Sequence, residues 1–99
     1  MDDARDCVFA ALKTVVDPEL GLDVVSLGLI YGVDASEREI IVRMTLTSPS
    51  CPLGEVLIGM ARDALRARAG GRDVRIEVVW DPPWTPERIS EEGRRALRL

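Results

Sequence analysis

The sequence predicts an α+β domain, a two-layer sandwich in which helices cover one face of a small mixed sheet. Apolar residues recur at helical spacing in two segments and alternate with other residues in three more, and an N-cap followed by proline predicts a final helix, so the order is α-β-β-α-β-α. The chain has 99 residues, of which 46% are hydrophobic and 30% charged. This composition is typical of a single globular domain, expected to span residues 1–99.

The first helix is predicted from Asp3 to Val16, where apolar residues recur every three or four positions. Asp17-Pro18 ends it, because the residue before a proline avoids helical backbone. Alternating residues then predict one strand near Leu29–Asp34 and another over Ile40–Leu46. A polar turn joins these strands, so we expect them to form an antiparallel hairpin.

The second helix is predicted to begin at Cys51-Pro52, with the proline at the first helical position and Cys51 as the N-cap. Gly70-Gly71 should end this helix. Its apolar stripe comprises Leu53, Val56, Leu57, Met60, Ala61, Ala64 and Leu65.

The third strand is predicted over Val74–Trp80, with Trp80 in the core. A helix connects it to the second strand, and such crossovers are right-handed and join parallel strands, so the sheet should be mixed. Thr85-Pro86 predicts an N-cap and a first helical position for a final helix that continues through Ile89 towards Leu97.

The charge and composition exclude several function classes. A net charge of −4 disfavours a nucleic-acid binder, and no apolar run is long enough to cross a membrane. Asp2, Asp3 and Asp6 stand where a signal peptide would be basic, which predicts a cytoplasmic protein whose two cysteines are free, catalytic or metal-binding. The sequence contains no histidine, which excludes a Cys-His dyad and leaves sulfur and oxygen side chains as metal ligands.

Cys51 is the first candidate site residue. A thiol at a helix N-terminus lies near unpaired N–H groups and a partial positive charge, which favour the thiolate, a good nucleophile and a soft-metal ligand. Thr47 and Ser50 add hydroxyl donors to the same loop. The alternative is that Cys51 is a small, inert residue in a tight turn. Cys7 is expected to be a core or near-core residue of the first helix.

Two further loops carry candidate residues. Asp17 and Glu19 are carboxylates that could complete a metal shell or act as acid and base, or could cap backbone N–H groups. Asp81 and Trp84 lie in a proline-rich loop that could wall a pocket or bind a partner, although Trp84 could also pack over the sheet edge. Parallel second and third strands would bring these loops and Cys51 to one edge of the sheet.

Four segments, in this order and covering nearly the whole chain, together resemble the small iron-sulfur cluster assembly domains of the PaaD-like and SufT-like family. They are Val16–Glu19, Leu27–Tyr31, Met44–Pro52 and Asp81–Thr85. The resemblance implies the α+β fold of scaffold-type cluster assembly domains. It also implies that Cys51 matches the characteristic cysteine of the family and that Asp17, Pro18 and Glu19 match its Asp-Pro-Glu loop.

The resemblance further implies a maturation factor, not an enzyme, whose partners are iron-sulfur assembly proteins and client apoproteins. A cluster normally takes four thiolates, and this loop supplies only Cys51. We therefore expect no tightly bound cluster in a monomer, but a transient cluster or iron bridged between the two chains of a homodimer. A cluster-free adaptor docking through Cys51 and Trp84, a thiol-dependent enzyme and a plain structural module stay open as alternatives.

Overall fold

The computed structural model describes residues 3–48 and 53–97. The order of its elements confirms the predicted α-β-β-α-β-α fold. The elements are α1 (Asp3–Leu12), β1 (Ile30–Ala35), β2 (Glu39–Met44), α2 (Gly54–Arg66), β3 (Asp73–Val78), a 3-10 helix (Pro86–Arg88) and α3 (Glu91–Leu97). None of the helices in this described part is long and apolar enough to cross a bilayer.

The sheet has three strands in the order β1-β2-β3. β1 and β2 are antiparallel, whereas β2 and β3 are parallel, so the predicted hairpin and mixed sheet are confirmed. The β1–β2 register shifts between Ile30 and Gly32, which leaves Tyr31 as an extra residue in a bulge. The β2–β3 register continues without a break from Glu39 opposite Asp73 to Met44 opposite Val78.

One face of the sheet forms the core together with α1 and α2. The even-numbered residues of β2, which are Ile40, Val42 and Met44, are buried on this face. α1 packs on β1, α2 packs on β3, and the two helices contact each other. The opposite face is charged, because Arg43 pairs with Asp34 at 3.0 Å and with Glu77 at 3.7 Å. Alternation along each strand therefore separates the apolar from the ionic face.

α1 ends at Leu12, so the predicted end at Val16 is wrong. Val16 instead forms an isolated antiparallel bridge with Asp23. The Asp17 N–H donates to the Leu22 carbonyl at 2.8 Å, so the chain turns back on itself after Val16 and the helix does not continue. The apolar spacing continued past the true end because Val15, which follows the helix, is buried as well.

α2 begins at Gly54 with Leu53 at the N-cap, so the prediction that Pro52 opens the helix from a Cys51 N-cap is wrong. Cys51 and Pro52 themselves lie outside the described residues. The first helical residue packs closely on the core, because a Cβ at Gly54 would lie 2.7 Å from the Leu46 side chain. Glycine at this position therefore allows the first turn to pack on the end of β2.

Part of the predicted α2 stripe is not in the core. Leu57, Ala61 and Leu65 are buried, but Val56 is 50% exposed and Met60 is 39% exposed. The apolar stripe of the sequence is therefore wider than the surface that the sheet and α1 cover.

The C-terminal third differs from the sequence predictions at two points. Trp80 is 45% exposed rather than in the core, because β3 ends at Val78 and the strand alternation no longer applies beyond it. The predicted final helix is interrupted at Ile89, whose extended backbone (φ −64°, ψ 133°) separates the 3-10 helix from α3. Ile89 is buried, so the interruption allows its side chain to reach the core.

Candidate functional site at the end of the sheet

Three loops meet at the edge of the sheet where β2 and β3 both end. The Val79 N–H donates to the Met44 carbonyl at 2.9 Å, so the chain leaves both strands at the same level. A cavity of about 270 Å³ opens there, lined by Asp17, Glu19, Leu20, Thr47 and Trp84. The structure therefore brings together four of the residues predicted from sequence, and adds Leu20.

The other predicted site residues are not part of this cavity. Asp81 is exposed and does not line it. Cys51 and Ser50 lie outside the described residues. Cys7 carries a free, half-buried thiol on α1. The roles of Cys51 and of the cavity residues stay predictions.

Asp17 shapes the first wall of the cavity. Asp17 is only 5% exposed. Its Oδ1 accepts hydrogen bonds from the Glu19 N–H at 2.8 Å and the Leu20 N–H at 3.1 Å. The Asp17 carbonyl also accepts from the Gly21 N–H at 2.8 Å. Asp17 therefore caps its own turn, which was one of the two alternatives left open by the sequence.

Glu19 and Leu20 are exposed at this wall. The Glu19 carboxylate makes no hydrogen bond or ion pair with any other residue in the ranges 3–48 and 53–97. Leu20 adds an exposed apolar side chain beside it. The turn capped by Asp17 thus presents one unpaired carboxylate and one aliphatic group to an incoming molecule.

Trp84 forms the opposite wall. Its indole N–H donates to the Leu27 carbonyl at 2.7 Å, and its half-buried ring packs against the core. This hydrogen bond joins residues far apart in sequence and fixes the ring beside the cavity. The position combines the two alternatives for Trp84, because the ring both packs on the fold and lines a pocket.

A second cavity, of about 420 Å³, lies where the C-terminal segment (residues 79–97) contacts the loop before β1. Its lining is Gly28, Ile30, Tyr31, Pro82 and Arg88. The Tyr31 hydroxyl donates to the Pro82 carbonyl at 2.8 Å, and the Arg88 guanidinium lies 4.7 Å from the centre of the Tyr31 ring. Sequence reasoning missed Arg88, since nothing in its local pattern distinguishes it from a solvated arginine.

The end of β2 contains an unusual buried group. Thr45 is fully buried, and its hydroxyl has no hydrogen-bond partner among the residues that the structure describes. The same described part of the chain contains no group of three or more His, Cys, Asp or Glu side chains that could hold a metal ion. A metal bound at this end of the sheet would therefore need ligands from residues 49–52 or from another molecule.

Residues 5–78 match the family described as iron-sulfur cluster assembly protein. The chain belongs to this family. A relative from Bacillus subtilis (strain 168), named Fe-S protein maturation auxiliary factor YitW, is 40% identical over 96 residues, covering 96% of this chain and 94% of the relative. Another from Staphylococcus aureus (strain USA300), named Fe-S protein maturation auxiliary factor SufT, is 40% identical over 84 residues, covering 84% of this chain and 96% of the relative.

The fold has a close match among solved structures. The crystal structure of a domain of unknown function from Bacillus anthracis superposes with a TM-score of 0.91 at 34% identity, covering 99% of this chain and 94% of that one. The family and the fold class predicted from the four sequence segments are therefore confirmed.

Proposed function

We propose that this protein is an iron-sulfur maturation factor that carries iron or a cluster through Cys51 and helps deliver it to client apoproteins. The observation that carries the proposal is the cavity at the end of the sheet in a chain of this family. Thr47 lines that cavity, and Cys51 follows it by four residues in the sequence. The names of the relatives YitW and SufT, both maturation auxiliary factors, support the same role.

The cargo requires ligands from more than one chain. A cluster takes about four thiolates or their equivalents, and Cys51 supplies one. We propose that two copies each contribute Cys51 and that Glu19 or an external thiol completes the set. Glu19 is the better carboxylate because it is exposed and unpaired within the described residues, whereas Asp17 already accepts two backbone hydrogen bonds. Incomplete ligation by one chain suits a cargo that must be released.

Anaerobic reconstitution with iron and sulfide tests this proposal. The wild-type protein should gain visible charge-transfer absorption and bound iron, and Cys51→Ser should lose both. Cys7→Ser is the matched control, because it makes the same substitution at the free cysteine of α1, away from the cavity lining. A Cys51→Ser variant that bound as much iron as Cys7→Ser would contradict the proposal.

A second candidate is a cluster-free adaptor, which the exposed Leu20 and the half-buried Trp84 favour. Aromatic rings beside aliphatic groups are common anchors at protein interfaces. Cluster transfer from a loaded assembly protein to a client apoprotein separates the two candidates. A carrier takes up the cluster itself during transfer and loses this uptake in Cys51→Ser, whereas an adaptor stimulates transfer without taking up any cluster and loses its stimulation in Trp84→Ala.

A thiol-dependent enzyme has less support, because the sequence has no histidine to serve as a proton shuttle. The pH dependence of Cys51 alkylation checks this: a catalytic thiol would react well below the pH at which an ordinary thiol does.

We place the protein in the reducing cytoplasm, where a free thiol persists.

A further inference from the structure

The outer edge of β3 is open. β3 is an edge strand of the sheet, whose order is β1-β2-β3, and no strand within residues 3–48 and 53–97 pairs with its outer side. The chain that follows β3 crosses the end of the sheet towards β1, where the Tyr31 hydroxyl donates to the Pro82 carbonyl and the Ser90 N–H donates to the Ser26 carbonyl, each at 2.8 Å. The C-terminal segment therefore packs at the far side of the sheet from this edge.

The hydrogen bonds to β2 determine which β3 groups face outward. The Asp73 N–H donates to the Arg38 carbonyl at 3.0 Å, and the Val79 N–H donates to the Met44 carbonyl at 2.9 Å. Donors alternate along a parallel ladder, so the odd-numbered residues between them also face β2. The N–H and C=O groups of Val74, Ile76 and Val78 consequently point away from the sheet.

We propose that a second copy of this chain pairs antiparallel with this edge, about a two-fold axis through Ile76. The segment Val74–Val78 reads Val-Arg-Ile-Glu-Val, so its chemical pattern is the same from both ends apart from the sign of the charge. Pairing about Ile76 places Val74 opposite Val78 of the second copy. It also places Arg75 opposite Glu77 of the second copy, twice by symmetry.

The charges select this register over its neighbours. Only outward-facing residues can form the hydrogen-bonded pairs, so the alternative registers differ by two residues. One neighbouring register puts Arg75 opposite Arg75, and the other puts Glu77 opposite Glu77. Directly opposed like charges destabilise a strand pair. The Arg75–Glu77 contact within one chain is long, at 3.8 Å, and exposed, so Arg75 is available to the second copy. Glu77 also pairs with Arg43 at 3.7 Å, and this long contact leaves its carboxylate partly exposed towards the second copy.

The apolar side of β3 also favours this contact. Val78 is 37% exposed, and Val74 and Ile76 are only partly buried on the helix-covered face. Two-fold pairing would cover all three and add roughly six backbone hydrogen bonds. β1 is a poorer edge for this purpose, since its register is broken by the bulge at Tyr31.

This contact is separate from the one proposed for cargo. The cavity lined by Asp17 and Trp84 lies at the C-terminal end of β3, and antiparallel pairing puts the two cavities at opposite ends of the joined sheet. The β3 dimer therefore goes beyond the proposed function, and neither proposal depends on the other.

Sedimentation equilibrium of the whole chain over a concentration series tests the proposal. The wild type should be a dimer at high concentration. Arg75→Glu should weaken the association by about tenfold or more, because it replaces each attraction between Arg75 and Glu77 of the other copy with a repulsion between two carboxylates. Arg75→Glu combined with Glu77→Arg should restore association. Arg95→Glu is the matched control, because it makes the same charge change on α3 and should leave association unchanged.

Amide hydrogen exchange tests which residues of β3 form hydrogen bonds across the dimer. Protection at Val74, Ile76 and Val78 should rise with protein concentration, whereas Arg75 and Glu77, already bonded to β2, should not change. Circular dichroism confirms that each variant is folded. A wild type that stays monomeric at millimolar concentration, or a dimer that Arg75→Glu does not weaken, would overturn the proposal.

Discussion

The chain contains two Asp-Pro dipeptides, Asp17-Pro18 and Asp81-Pro82, and the structure gives the two aspartates different roles. Asp17 is buried and its carboxylate holds a turn closed through two backbone N–H groups. Asp81 is exposed, and its segment is held by contacts of neighbouring residues. The same dipeptide therefore organises one loop from within, while the other loop depends on docking against a distant part of the chain.

The stability of the fold should be most sensitive to substitutions that disturb the packing of the Asp81 segment (residues 81–88) on the loop before β1. Gly28 has φ +76°, and a Cβ there would collide with the Arg88 backbone. We expect Gly28→Ala to lower the free energy of unfolding by about 3 kcal/mol, since it adds a left-handed backbone penalty to a clash with main-chain atoms. Urea unfolding measures this.

Gly21→Ala provides the matched control for that substitution. Gly21 has φ +73°, but no atom lies within 4 Å of the position that an alanine Cβ would occupy, so only the backbone penalty of about 1 kcal/mol applies. Equal losses at the two glycines would show that the added Cβ at Gly28 does not clash with the Arg88 backbone in solution.

Asp17→Ala should have the next largest effect. It leaves the Glu19 and Leu20 N–H groups without their acceptor in a partly buried turn, and we expect a loss of about 2 kcal/mol in unfolding free energy. Asp81→Ala should change stability by less than about 0.5 kcal/mol, because Asp81 is an exposed surface residue. If chemical denaturation gave both aspartates the same effect, the contrast between the two loops would be wrong.

The two tryptophans extend the comparison to the Asp81 segment itself. Trp84→Phe keeps an aromatic ring but removes the donor to the Leu27 carbonyl, so thermal unfolding should show a loss of about 1.5 kcal/mol. Trp80→Phe should cost less than about 0.5 kcal/mol, because Trp80 is exposed at the surface. A larger effect at Trp80 would indicate that this residue is covered in solution.

Thr45→Val tests the buried hydroxyl at the end of β2 and, apart from the control substitutions, should have the smallest effect. Replacing a buried hydroxyl that has no partner among the described residues with a methyl group of similar shape should raise the free energy of unfolding by about 1 kcal/mol. Calorimetry measures the change. A decrease would contradict this expectation and show that the hydroxyl makes a favourable hydrogen bond in solution.

Much of the fold was predictable because alternating and helical patterns reflect which side of each element is buried. The buried even-numbered residues of β2 and the buried Leu57, Ala61 and Leu65 of α2 follow such patterns. The sequence predictions were wrong where an apolar pattern continues beyond the surface that the rest of the protein buries. Val56 and Met60 continue the stripe of α2 but remain exposed, and Trp80 continues the alternation of a strand that has already ended.

The sequence by itself determined the order of the elements, the hairpin, the parallel crossover and the family, because each depends on periodicity, turn residues or motifs local to the chain. Only the tertiary structure decided that Asp17 caps a turn, that Trp84 is held by the Leu27 carbonyl, and that Arg88 lies over Tyr31. The Trp84 and Arg88 contacts join residues whose spacing carries no signal, and they depend on which loops the sheet brings within reach of each other. The Asp17 cap is local, but the sequence offered it only as one of two alternatives.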